Sequence, residues 1–407
     1  MDERKTEGRA AAAPAGEKKK TSPGKRPAKK PRRGKKAKRH PLLRRILAGV
    51  LTLLLIVLAV LIFVFRDRLD NESLRESFGK TAKLVTAGEA FAYESGNDQM
   101  FAAVGDGLAV ASGSAIQLLN AQGETVWKQI VSYDAPAVFA AKQQALFCDL
   151  GGTAAVTADL DGESGEIKTD EPIVTAAMND SGWFVLVTEA AGYKSLVRVY
   201  NAAREPQYEW WAGSGYVLRA AVSPDNRHLA VLCADGEGTK LHLFALDSET
   251  ELASAAFPQE LDFDLRFFGS DTVCCIGEEK LHFVGTDGEI RGEYDLGDYY
   301  LMDYDFGSDN FVTLFVSAYR TGTGGLLMTV DRSGQLLGCV EESRNVISLC
   351  AAGKQVLVMT AGSLTLYGQD LAEQERVEAL MTAKKALLQP NGTILLLSAY
   401  AAEKFQF

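Results

Sequence analysis

At 407 residues the chain is long enough for two or three ordinary domains or for one large closed β architecture. Its net charge of −10 hides two opposed segments: residues 1–45 hold 18 Lys and Arg against 4 Asp and Glu, while residues 66–407 hold 25 against 49. A net +14 and a net −24 on either side of an uncharged stretch exclude a simple cytosolic globule and argue against a nucleic-acid-binding core.

Residues 1–45 are dominated by Ala, Pro, Gly, Lys and Arg and contain no aromatic side chain. Such a segment cannot bury enough apolar surface to fold, so a disordered basic tail is expected. Without aromatics for base stacking, nucleic acid is not an expected partner. Anionic lipid headgroups are the favoured contact, with a cytoplasmic acidic partner as the rival.

Residues 46–65 read ILAGVLTLLLIVLAVLIFVF. As a helix they span about 30 Å, the thickness of a bilayer's hydrocarbon core, and a helix satisfies every backbone amide within the segment. A cleaved signal peptide has a shorter apolar stretch, about 7–15 residues, and a small-residue cleavage site. Here the stretch runs straight into Arg66-Asp67-Arg68-Leu69-Asp70, so an uncleaved single-pass transmembrane helix is expected. Lys35, Lys36, Lys38, Arg39, Arg44 and Arg45 crowd its N-terminal side, against Arg66 and Arg68 beyond it. That asymmetry places the N-terminus in the cytoplasm and the C-terminal domain in an extracytoplasmic location. Residues 66–83 form a short polar juxtamembrane stalk, with Leu74 and Phe78 at helical spacing.

From residue 84 to 407 the helical period disappears and short apolar runs recur between Gly, Asn and Asp turns, the pattern of an all-β chain. The most apolar runs are 107–112, 145–150, 183–188, 228–234, 272–276, 311–317, 355–360 and 393–398. Each follows another short strand across a tight turn. These preceding strands begin at Met100, Ala137, Val174, Leu218, Asp264, Met302, Ile347 and Lys385, spaced 37, 37, 44, 46, 38, 45 and 38 residues apart. That approaches the ~40–45 residues of a four-stranded propeller blade. A third, alternating strand and a hairpin into a fourth follow, as in AIQLLNAQGETVW and KLHLFALDSETEL. His242 and His282 fall at equivalent positions on two such third strands, where both are expected to be strand-surface residues rather than metal ligands. The last repeat, 385–407, has room for only three strands, and AFAYE within residues 84–94 supplies the missing outer one. This closure removes an exposed sheet edge. The fold expected is an eight-bladed β-propeller, with seven blades as the alternative.

No nucleophile elbow, zinc motif, phosphate loop or dinucleotide fingerprint is present, and no cofactor or metal is expected. The four tryptophans, Trp127, Trp183, Trp210 and Trp211, are too few and wrongly spaced for a quinone-enzyme ring. Five of the six cysteines sit within apolar strands, as small buried thiols or a disulfide on an oxidising surface. In DLDGESGE, 159–166, Ser164 replaces the glycine a calcium loop requires, so a solvated hairpin turn is the better reading.

Two groups of residues are candidates for function. Asp262, Asp264 and Arg266 alternate with apolar neighbours and share one face of an innermost strand; Asp303 and Asp305 occupy the matching strand of the next blade and Arg219 that of the blade before. Together they would line one mouth of the central channel as a ligand-binding site, or satisfy one another as buried charge pairs. The segment YEWWAGSGY offers Tyr208, Trp210, Trp211 and Tyr216 as an interaction surface or as inter-blade packing.

SPDNRHLAVL, residues 223–232, resembles the first-to-second-strand turn of WD40-like and translocation-protein-type propellers. LNAQGETVWK, 119–128, is similar to the third-to-fourth-strand hairpin of pyrroloquinoline-quinone-like repeats. The layout of basic tail, anchor and stalk followed by FAAVGDGLAVASGSAIQLLNAQGE and ALFCDLGG resembles, over residues 42–407, the bacterial membrane-anchored propellers grouped as domain of unknown function 5711. The resemblance implies a fold and a location but no activity. The leading expectation is a non-enzymatic interaction module that binds a protein or envelope component. The alternative is a hydrolase or lyase using Asp264, Asp303 or Asp305 as acid or base. A sensor signalling to the basic tail is the third reading.

Overall fold

The second strand of each repeat dictates the architecture. Gly107–Ala111, Phe184–Thr188 and Phe311–Ser317 are buried at every residue, so both faces of each strand need cover. Stacking its sheet between two others supplies that cover. In the computed structural model, which describes residues 85–86, 88–307, 310–322, 324–379 and 381–407, the strands form eight antiparallel sheets. Blades 1 to 7 cover 100–130, 136–168, 173–212, 216–258, 262–295, 300–342 and 346–378, each four strands in chain order from the channel outward. Blade 8 is built from 385–406 and two short N-terminal strands. The eight-bladed propeller is the observed fold. The tail, anchor and stalk at 1–45, 46–65 and 66–83 lie outside the described residues, among which no helix is long and apolar enough to cross a membrane.

Among the described residues, eight buried apolar clusters mark the eight junctions between neighbouring blades. Blades 3 and 4 meet through Val185, Val197, Leu229 and Phe244. Blades 5 and 6 meet through Phe268, Phe283, Leu314 and Val330. The junction that closes the ring sets Leu387, Leu395 and Leu397 of blade 8 against Phe101, Leu108 and Leu119 of blade 1. Each fully buried Leu or Phe contributes roughly 1.5–3 kcal/mol, so the stability of the ring resides in these layers. All six cysteines are free thiols, and only Cys339 is exposed.

Val85–Thr86 and Phe91–Ala92 both pair with Ala401–Gln406, as the outer strand missing from the last repeat. Between these pairs lie four residues on the N-terminal side, 87 to 90, and two on its partner, 403 and 404, so the register shifts by two. Tyr93 then locks the junction. Its amide donates to the Tyr400 carbonyl at 3.0 Å, its hydroxyl donates to the carbonyls of Ser398 and Ala401 at 2.7 and 3.0 Å, and its ring packs edge-on against Phe101.

In blades 3 to 7 the innermost strand starts one or two residues before the position expected from the sequence. The extra residues sit next to a bulge at Val174, Leu218, Phe263, Met302 and Ile347, where two residues of the inner strand oppose one of its neighbour. A bulge breaks strict alternation, which is why the pattern conceals the true start. In blade 5 the consequence reaches the candidate site.

Candidate functional site

Because neighbouring strands run in opposite directions, the starts of the innermost strands, the second-to-third-strand turns and the connectors between blades all lie on one face of the ring. The innermost strands line the channel. There Arg219 Nε lies 3.3 Å from Asp264 Oδ1, and the Tyr304 hydroxyl donates to Asp264 Oδ2 at 2.7 Å. Arg219 also donates through Nη1 to the Leu218 carbonyl at 2.9 Å and to Thr175 Oγ1 at 3.4 Å. A polar belt thus runs Thr175–Arg219–Asp264–Tyr304 across blades 3 to 6. Arg219 is half-exposed, so its pair with Asp264 contributes only about 0–1 kcal/mol and serves chiefly to fix geometry.

Asp303 and Asp305 continue the belt but behave differently. Asp305 Oδ2 accepts the amides of Ala351 at 2.6 Å and Gly307 at 3.1 Å, tying blade 6 to blade 7. Burial raises its pKa against those bonds, and the charges of Arg266 and Lys385 pull it back. Among the described residues Asp303 accepts only the amide of Tyr304, at 2.9 Å. Burial and the neighbouring Asp305 push its pKa up to about 6, against that bond and the charge of Lys385. Arg266 faces solvent and forms no ion pair among the described residues.

Asp262 is not part of this group. The bulge at Phe263 sends it to the opposite face from Asp264, which corrects the expectation that Asp262, Asp264 and Arg266 share a side. Its carboxylate is wholly buried and crosses the sheet to His282, Oδ2 to Nδ1 2.9 Å. A Cβ on Gly277 would stand 2.3 Å from Asp262 Oδ1, so a glycine at that position is what allows the carboxylate to cross. His282 Nε2 faces Glu260 Oε2 at 2.9 Å, Lys280 Nζ holds Glu260 Oε1 at 2.7 Å, and the imidazole stacks on Phe257 with centroids 4.1 Å apart. His282 is therefore a buried residue clamped between two carboxylates and not a strand-surface one. Its equivalent His242 remains partly exposed, with Glu251 at 2.9 Å and Trp210 at 5.3 Å. Sequence reasoning missed Glu260 and read His282 as a strand-surface residue. The one signal available was a histidine set inside the apolar run Leu281–Phe283–Val284.

The four aromatic candidates divide in two. Tyr208 and Trp210 pack against Phe244, with centroids 6.0 and 5.1 Å away, and belong to the junction between blades 3 and 4. Trp211 and Tyr216 are exposed, 44% and 61%. Trp211 lies 5.2 Å from Tyr193, itself exposed, and Lys194 Nζ sits 4.5 Å over the Tyr216 ring. Alternation along Pro206–Ala212 explains the split: Tyr208 and Trp210 share the inner face and Trp211 takes the other.

In the hairpin turn 159–163, Asp159 Oδ1 accepts the amides of Asp161 and Glu163 at 3.1 and 2.8 Å, so this carboxylate closes a turn. Among the described residues no group of three or more His, Cys, Asp and Glu is placed to hold a metal ion.

A family model described as a family of unknown function, DUF5711, matches residues 81–370. No curated protein matches the sequence. Among solved structures, BamB from Moraxella catarrhalis is similar at 12% identity and a TM-score of 0.53, over 80% of this chain and 100% of that one. The C-terminal WD40 domain of Sif2 is similar at 10% identity and 0.58, over 81% and 99%. Chaetomium thermophilum Sqt1, solved with the N-terminus of ribosomal protein L10 bound, is similar at 13% identity and 0.56, over 80% and 100%. At these identities the likeness is one of fold.

Proposed function

The chain belongs to the family of unknown function DUF5711, and from that premise we propose that it is a non-enzymatic interaction module, a propeller that binds a protein partner in the extracytoplasmic space. Residues 46–65 anchor it in the membrane, and the basic tail lies against anionic lipid on the cytoplasmic side. The observation that carries the reading is the run of exposed aromatics on one face: Tyr193 against Trp211, and Tyr216 beside Lys194. Large aromatics left in water are costly to a monomer and are the side chains that anchor interfaces. One propeller neighbour, Chaetomium thermophilum Sqt1, solved with the N-terminus of ribosomal protein L10 bound, supports the same use of the fold.

The test is photo-crosslinking in intact cells with a photoreactive residue at Trp211 or at Tyr216. A discrete protein adduct, absent when the photoreactive residue stands at exposed Leu336 of blade 6 instead, supports the reading. No adduct at either position overturns it. Protease added to whole cells should digest the propeller, and its survival would refute the extracytoplasmic location.

The hydrolase or lyase alternative has one observation in its favour, the Asp303 carboxyl held at about 6 inside the channel. Its companions are committed elsewhere, Asp264 to Arg219 and Tyr304, Asp305 to two backbone amides. Turnover by the purified chain that is lost in Asp303→Asn would establish that alternative.

A further inference from the structure

Between blades 2 and 3, on the face that carries the connectors between blades, lies a cleft of about 190 Å³. Its floor is apolar: Leu186, Leu196 and Tyr200 are buried beneath it, and the exposed ring of Trp211 forms one wall. The rim is acidic. Asp170 and Glu171 come from the connector into blade 3, and Glu189 from the turn opposite. Among the described residues none of these three carboxylates has an ion pair, whereas Arg198, which also lines the cleft, and Lys194 beside it are engaged. Arg198 holds Glu209 at 2.6 Å, and Lys194 sits over the ring of Tyr216 with its Nζ 3.2 Å from the hydroxyl.

We propose that this cleft is the docking site for a basic, extended segment of a partner protein, and that it takes one lysine or arginine side chain of that segment. The proposal rests on the reading of the chain as an interaction module and names the partner's chemistry. Three features select the occupant. The volume is below the roughly 300 Å³ at which small-molecule pockets begin, so it fits a side chain better than a whole ligand. A long cationic side chain has the matching division, with methylenes for Leu186, Leu196 and the Trp211 face and a charged head for the rim. The three unpaired carboxylates, on a domain of net −24, favour a cation and repel an anion. One side chain does not make a stable interface, and the aromatic run from Tyr193 through Trp211 to Tyr216 supplies adjoining surface for the segment's neighbouring residues.

The experiment uses the purified full chain in detergent and three fluorescent twelve-residue probes of alternating composition, Lys-Ala, Gln-Ala and Glu-Ala, read by anisotropy. The Lys-Ala probe should bind, weaken as salt rises, and lose at least tenfold in affinity on Asp170→Asn/Glu171→Gln/Glu189→Gln. A control triple at exposed sites in other blades, Asp298→Asn/Glu341→Gln/Glu375→Gln, should lose less than threefold. Trp211→Ala, which leaves the charge unchanged, should also weaken binding. Equal losses in the two triples, or no effect of Trp211→Ala, would reduce the binding to diffuse attraction and overturn the proposal. A photoreactive residue at Ala190, beside the cleft, separates this inference from the reading beneath it. Its adduct should map to a Lys- or Arg-containing stretch of another protein. An adduct to lipid, to a second copy of this chain or to an acidic segment refutes the cleft assignment while the crosslink at Trp211 stands.

Discussion

His282 Nδ1 lies 2.9 Å from Asp262 Oδ2, deep in blade 5, while Nε2 of the same ring lies 2.9 Å from Glu260 Oε2. Both ring nitrogens thus face carboxylate oxygens, an arrangement that favours the protonated imidazolium. Burial alone would lower the pKa of His282, but the bond to Asp262 and the charges of Asp262, Glu260 and Glu293 together outweigh it and the net shift is upward. Burial raises Asp262 as well, against its bond to the same histidine.

Both shifts have one sign in the linkage between pH and folding. The folded state holds more protons than the unfolded chain, so this pair's contribution is full below the unfolded values of 3.8 and 6.5 and falls as pH rises through the higher folded ones. His282→Leu at neutral pH leaves the buried Asp262 charge without its partner and should cost about 3–5 kcal/mol. The double variant Asp262→Leu/His282→Leu should recover much of that, because replacing a whole buried pair with apolar groups is often close to neutral. Denaturation of wild type and double variant from about pH 5 to 8 checks the linkage: the wild-type curve should fall more steeply, and equal slopes would dismiss it.

Asp303 gives a second pH test at a separate place. Its carboxyl, raised from 3.8 to about 6, must ionise in the fold at neutral pH at a cost on the order of 3 kcal/mol. Below the unfolded value both states are protonated and the cost vanishes. Asp303→Asn keeps an oxygen to accept the Tyr304 amide, so the variant should be the more stable protein at about pH 7.5 and indistinguishable from wild type near pH 3.5. A variant less stable at pH 7.5 would show that ionised Asp303 is held by an attraction larger than its burial.

Ring closure depends on few groups and is open to direct attack. Tyr93→Phe removes two hydroxyl bonds, to Ser398 and Ala401, and should cost about 1–3 kcal/mol while leaving the backbone pairing of Phe91–Ala92 intact. Deleting residues 85–92 goes further, since it bares the outer edge of Ala401–Gln406. An unpaired edge is a template for another chain, so light scattering should show self-association of the deleted protein at concentrations where wild type has none.

How far the sequence could be read follows from these same residues. The doubly buried second strands, such as Phe311–Ser317, must be apolar throughout, and that requirement made eight repeats countable. The closure by residues 84–94 was legible because 385–407 lacked a strand. The start of the inner strand was not, because the bulge at Phe263 inserts one residue and reverses the side chains before it, placing Asp262 against His282 instead of beside Asp264. The His282 clamp depends on Glu260 from a connector and on the missing side chain of Gly277. No local pattern couples those positions.

Trp210 and Trp211 are neighbours in sequence with opposite surroundings, and they make the sharpest comparison of packing with surface. Trp210 lies 5.1 Å from Phe244 and 5.3 Å from His242, in the layer that joins blade 3 to blade 4. Trp210→Ala empties that layer and should cost about 3–5 kcal/mol, with a matching fall in thermal midpoint. Trp211 is 44% exposed and touches chiefly Tyr193, so Trp211→Ala should cost about 1 kcal/mol or less. If binding is lost in Trp211→Ala at full stability, the ring acts on the partner. If instead Trp211→Ala unfolds the protein as readily as Trp210→Ala, the exposed aromatic run is part of the packing, and the surface argued to bind a partner loses its anchor.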